Sequence, residues 1–238
     1  MEAVATPIIS AESRERWFFL AMALAIAITV ATGFSLFYRA GFSSFASPWW
    51  VHVHAVTFVT WIVLYVTQNV LVARNAIARH RVLGRIGAAW AVWMVIVGLV
   101  LTPMNLAAHR APPFFTPAYF LAIDWLNILV FGALLYGAIR NRRRTDWHRR
   151  LMLCATICLI APAWGRLVVL SGNPATAPVL VALLLAYVIV AMLFDWANRG
   201  RVHPAYLWGG GALVFFAVAT ELLAKLPPFV ALAGRIAG

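Results

Sequence analysis

The sequence predicts an all-α protein: a seven-transmembrane-helix bundle with its N-terminus in the cytoplasm and its C-terminus outside. Three observations carry that expectation. Hydrophobic residues make up 64% of the chain and charged residues 11%, whereas soluble domains carry about 25% charged residues. Seven apolar runs of roughly 20 residues can be marked, each about long enough to cross a bilayer core. The arginines between the runs alternate in density from loop to loop, as the positive-inside rule requires. Little chain is left over, so one polytopic membrane domain over 1–238 is expected and no soluble domain of any size.

Taken in order, residues 1–16 form a polar lead containing Glu12, Arg14, Glu15 and Arg16. The first span, 17–37, is longer than a signal-peptide core, and its end lacks a small-x-small cleavage site, so it reads as an uncleaved helix. Ser47 and Pro48 supply an N-cap and a first-turn proline for the second span, 49–73. A basic turn, RNAIARHRVLGR, leads to the third, 86–106. The Pro-rich aromatic loop AAHRAPPFFTPAY precedes the fourth, 118–139, which RNRRRTDWHRR closes. The fifth is 151–170; the turn SGNPATAP precedes the sixth, 179–196. The basic segment ANRGRVHPAY leads to the seventh, 206–225, and the tail PPFVALAGRIAG is too short to cross again.

The net charge of +12 arises from 18 arginines and one lysine against seven acids. With the N-terminus inside, Arg14, Arg16, Arg74, Arg79, Arg81, Arg85, Arg140, Arg142, Arg143, Arg144, Arg149, Arg150, Arg199 and Arg201 fall on the cytoplasmic side, 14 of the 18. The charge therefore reports topology, and no nucleic-acid motif accompanies it. The expected partner is the lipid bilayer, in the bacterial cytoplasmic (inner) membrane; a homo-oligomer is compatible with the sequence. Cys154 and Cys158 lie four apart on one helical face, where a disulfide is geometrically poor, and read as packing residues.

Polar groups inside apolar spans should face protein or water. In the second span, His54, Trp61, Tyr65 and Gln68 are spaced by 7, 4 and 3 residues and share one helical stripe. Asn105, Asp124, Asn127, Arg166 and Glu221 fall at broadly similar depth in the outer leaflet. An outer polar cluster of His54, Asp124, Arg166 and Glu221 is expected, with Asn105 and Asn127 as hydrogen-bonding neighbours. The alternatives are a structural salt-bridge network and a local Glu221–Lys225 pair at i, i+4. His52 and His54 point about 200° apart on a regular helix and chelate one metal only if that turn is distorted. On the inner side, His80, His148 and His203 each lie in a basic segment. Imidazole suits iron, zinc and copper, and neighbouring arginines suit haem propionates or lipid head groups; helix-end capping against anionic lipid is the plainer reading.

The string HVHAVTFVTWIVLYVTQNVLVARNAIARHRVLGRIG, followed by WHRRLM and RVHP, resembles a family of uncharacterised bacterial multipass membrane proteins carrying H-x-H, H-R-x-L-G, W-H-x-R-L-M and R-x-H-P in that order. The resemblance spans 52–204 and implies no activity. More distantly, histidines at helix ends with an H-R-x-L-G turn are similar to transmembrane b-type cytochromes. That likeness implies haem b held by histidines drawn from His54, His80, His148 and His203, with electrons passed in or across the membrane, in partnership with a quinone or another redox partner. His54 and His80 lie 26 residues apart, about 39 Å along a continuous helix, and so cannot share one haem.

Two readings follow. One is an integral membrane redox protein binding haem b. The other is a transporter, channel or sensor holding a metal ion, a proton or a small solute at the outer cluster or at His52 and His54. A retinal protein is disfavoured, because Lys225, the single lysine, stands near the end of its span before Pro227 and Pro228.

Overall fold

Two of the stretches read as basic turns fold as helix. The sequence IARHRVLGR is built largely of good helix formers, and only Arg74, Asn75 and Ala76 separate it from the second span, with Asn75 in the left-handed region at φ 57°. His80 and His148 therefore sit on first helical turns. The computed structural model describes residues 11–174 and 176–238; the first ten residues of the polar lead lie outside the described residues. Its helices are α1 (Ala11–Arg39), α2 (Trp49–Ala73), α3 (Ile77–Ala107), α4 (Pro117–Arg140), α5 (Thr145–Cys158), α6 (Ala161–Leu170), α7 (Ala177–Arg199), α8 (Ala205–Leu223) and α9 (Pro227–Ala237). Among the described residues, seven helical stretches are long and apolar enough to cross a membrane, with α5 and α6 together forming one of them. The tail expected to be merely short is the helix α9. The N-cap of α2 is Pro48 rather than Ser47.

The fifth span is broken at Leu159 and Ile160, for a covalent reason. Pro162 has no N–H to donate to the carbonyl four residues back, which frees Cys158 O inside the bundle. Asn127 Nδ2 of α4 donates to that oxygen at 2.9 Å. The same device recurs in α3, where Pro103 frees Leu99 O and Trp125 Nε1 of α4 donates to it at 3.0 Å. Helix α4 thus supplies both missing donors. The break also divides His148 and Arg166, 18 residues apart in the fifth span, between two helices, α5 and α6.

Residues 150–158 are buried throughout except for Met152, so α5 forms the centre of the bundle. It packs against α1, α4, α7 and α8. Helix α2 fills the gap between α1 and α3, α3 leans on α4, and α6 is wedged against α1 and α7. Helix α9 covers one end of α3 and α4, burying Ala233 with Leu106, Ala118, Phe120 and Leu121. Two glycines permit close approach. A Cβ at Gly33 would stand 2.6 Å from Ala163 O, and one at Gly209 would stand 2.6 Å from Cys154 Cβ. The outer faces remain apolar, with Val56, Val59 and Val63 on α2, Trp93, Ile96 and Val100 on α3, and Ile189, Leu193 and Trp196 on α7 exposed. Water would not tolerate so continuous a surface; a lipid bilayer is its solvent. The chain is a multi-pass helical membrane protein.

Candidate functional site

Two tight connections at the arginine-rich end bring histidines of different helices together. The α2–α3 turn places the first turn of α3 beside the last turns of α2, so that Gln68 meets His80. The α4–α5 connection does the same for His148 and the end of α4. The rings of His80 and His148 lie with centroids 6.4 Å apart and planes at 76°. His148 Nδ1–H donates to Ala138 O at 2.9 Å. A carbonyl can only accept, so this bond fixes the proton on Nδ1 and leaves the Nε2 lone pair free.

The Gln68 amide is oriented by its surroundings. With its nitrogen toward His80 it donates to Nδ1 at 2.6 Å and to the His80 carbonyl at 3.2 Å, while its oxygen accepts from Gly84 N at 2.8 Å. This orientation keeps the His80 proton on Nε2. Half a turn of the amide presents its oxygen to Nδ1–H instead and frees Nε2. Beyond His80, Gly84 and Gly87 follow on the same helical face at spacings of four and three. A Cβ at Gly84 would meet only the Gln68 side-chain amide, at 3.4 Å, and one at Gly87 would meet nothing within 4 Å. The face of α3 that carries His80 is therefore bare of side chains for two turns.

His203 stands apart from this pair and packs against Trp147 instead. Ala205 N donates to its Nδ1 at 3.1 Å, which occupies that lone pair and keeps the proton on Nε2. Its ring packs edge-on against Trp147, with centroids 5.1 Å apart. Burial, and then the nearby Arg150 guanidinium, hold His203 below the usual imidazole range, so it is neutral at physiological pH.

Beside these histidines lies a buried ionic network that the sequence reading missed. Arg150 and Asp195 are fully buried, and Glu15 is 2% exposed. Arg150 grips Asp195 with two bonds, Nε to Oδ2 at 2.8 Å and Nη2 to Oδ1 at 2.5 Å, and Asp195 also accepts from His203 N at 3.2 Å. Glu15 of α1 pairs with Arg149 at 2.5 Å, with Arg199, and with Arg150 at 3.5 Å. Asp146 pairs with Arg149, with Arg199 at 3.1 Å and with Arg150 at 3.7 Å. Three cations meet three anions, and α1, α5 and α7 are tied together one residue away from His148. Asp195 stands in the apolar run AMLFDWAN, and an acid isolated in such a run was the available signal.

At the opposite end the expected cluster divides. Glu221 accepts from Tyr119 Oη at 2.9 Å and faces Lys225 at 3.6 Å, the local pairing its i, i+4 spacing offered. Asn105 accepts from Trp50 Nε1 at 3.1 Å, and Asn127 is committed to Cys158 O. Asp124 accepts from Thr102 at 3.4 Å. Arg166 donates to Pro162 O at 2.9 Å and lies over the ring of Phe34, 4.0 Å from its centroid. The Arg166 charge reaches Asp124 and His54 without touching either. His54 is exposed and stacks on Phe58 at 4.4 Å; it lies beyond the buried part of its stripe, which runs through Thr57, Trp61 and Tyr65. His52 Nε2 is bonded to Ser47 O at 3.1 Å. Because α2 is regular from Trp49 onward, His52 and His54 diverge and do not form a chelating pair. Among the described residues, no three His, Cys, Asp or Glu side chains converge as a metal site.

Comparison of the chain with protein-family models, with curated proteins and with solved structures finds no match.

Proposed function

We propose that this is a membrane redox protein that binds haem b at its arginine-rich end through His80 and His148. The observation that carries the reading is their 6.4 Å ring separation. That spacing leaves room for one metal ion between two imidazole nitrogens, each about 2.0–2.1 Å from it; His80 and His148 would hold the haem iron. A ligand pair of only two protein donors suits an ion whose other positions come from a macrocycle. The bare strip at Gly84 and Gly87 is a cradle that side chains would fill. When bound, the haem supplies a one-electron ferric/ferrous couple. The chain's own residues hold and orient: Ala138 O fixes the His148 tautomer with Nε2 free, half a turn of the Gln68 amide would free Nε2 of His80, and the ionic network fixes the first turn of α5. The bias of arginines supports placing this end in the cytoplasm of a bacterium, the protein lying in the inner membrane, with a quinone or a protein as redox partner.

Purified protein expressed with haem supply is expected to show a Soret band typical of six-coordinate haem. The band should be lost in His80→Ala and in His148→Ala and kept in His203→Ala. A colourless wild-type preparation, or loss only in His203→Ala, sinks the proposal.

A second reading, a proton or small-solute site at the opposite end, is favoured by Asp124, which meets no cation directly among the described residues although Arg166 is within electrostatic reach. Metal analysis and solute uptake in Asp124→Asn and His54→Ala test it; equal behaviour to wild type removes it.

A further inference from the structure

Close to the ionic network, the turn between α7 and α8 borders a cavity of about 330 Å³ lined by Trp147, Arg199, Arg201, Val202, His203 and Pro204. The network decides which of these groups are free. Arg199 is committed to Glu15 and Asp146, and those acids with Asp195 balance Arg149, Arg150 and Arg199. Arg201 is left over: it is exposed and has no acid within ion-pair distance among the described residues. His203 adds a donor, because the Ala205 N–H on its Nδ1 keeps the proton on Nε2. Trp147, Val202 and Pro204 supply an apolar flank. Among the described residues, no carboxylate or side-chain amide lines the cavity.

Uncompensated guanidinium, imidazole N–H and an apolar flank at the end of two spans match a group that is anionic on one side and greasy on the other. A guanidinium fork fits two phosphate oxygens at once. We propose that this cavity binds a phosphate-bearing anion, held by Arg201 and the Nε2–H of His203, with Trp147 and Pro204 packing beside it. The site is independent of any haem at His80 and His148.

The test uses the full chain in a zwitterionic detergent, with phosphatidylglycerol, phosphatidylcholine and inorganic phosphate as probes and native mass spectrometry as readout. Phosphatidylglycerol is expected to bind wild type, and Arg201→Gln to weaken it about tenfold or more, the effect of losing one charge-assisted hydrogen bond. Arg142→Gln, an exposed arginine at the same end, is expected to bind as wild type and controls for bulk charge. Displacement by millimolar phosphate would identify the source as a free phosphate; retention against it would identify a lipid head group. Arg201 makes no side-chain bond among the described residues, and exposed Arg142 makes one long bond to Ile139 O at 3.4 Å, so both variants should melt close to wild type. Equal binding by the Arg201 and Arg142 variants, or equal binding of the anionic and zwitterionic lipids, overturns the proposal.

Discussion

Replacing Asp195 by Asn keeps the size of the side chain and removes its charge, which makes it a direct probe of the ionic network. Asp195 and Arg150 are both fully buried, and Asp195 accepts three bonds, two from Arg150 and one from His203 N. An amide offers one acceptor atom where the carboxylate offers two, so its NH₂ must face a donor. Breaking a buried pair by removing one partner costs about 3–5 kcal/mol. Arg150 keeps Glu15 at 3.5 Å and Asp146 at 3.7 Å, which points to the lower end, about 3 kcal/mol. That is roughly a hundredfold in the folding constant and about 6–12 °C in Tm for a chain of this size. The assay is thermal unfolding in detergent followed by size-exclusion elution. The companion variant, Arg150→Met with Asp195→Leu, removes both charges, leaves two cations facing two anions, and should return to within about 1 kcal/mol of wild type. The reasoning is refuted if Asp195→Asn melts within about 2 °C of wild type, or if the double variant falls as far as the single one.

Two further outcomes follow from the packing. Asn127→Leu leaves the Cys158 carbonyl, freed by Pro162, without a donor in the bundle and should cost about 1–3 kcal/mol; Asn127→Asp, with no N–H to give, should be at least as damaging, and a melt matching wild type would show that water replaces the amide. Gly209→Ala drives a Cβ into Cys154 and should cost about 1–3 kcal/mol by overpacking, with part of the loss recovered when Cys154→Gly is added; a neutral Gly209→Ala would mean that α5 and α8 separate freely.

The spans were legible because a run of apolar residues has few other places to go. Their ends were not, because arginine signals the edge of the hydrocarbon but is itself a good helix former. Segments such as IARHRVLGR thus belong to the helix as well as to the interface. The break in the fifth span was written in Ala161-Pro162, a proline late in an apolar run, yet the partner that makes the break tolerable, Asn127, is 31 residues before the freed Cys158 carbonyl. The bonds that tie α1, α5 and α7 together in the ionic network join residues 45 to 184 positions apart, so no local spacing could reveal them; the acid in Phe194-Asp195-Trp196 was the available local signal. The histidines divided in the same way. His80 and His148 were visible as candidates, but their nearness depends on two tight connections opening at the same end. His203 stands apart in its own turn, where the Ala205 N–H occupies its Nδ1.

The network also sets an order on biosynthesis. A membrane chain is threaded from its N-terminus, so Glu15 reaches the bilayer while Arg149, Arg150 and Arg199 are still unmade. Until they arrive, its carboxylate lacks the partners that hold it in the bundle, and burying it alone would be costly. Helix α1 therefore enters before α5 and α7 can secure it, and a chain cut short of Asp195 and Arg199 would be left with the Arg149 and Arg150 contacts to Glu15 and Asp146 alone.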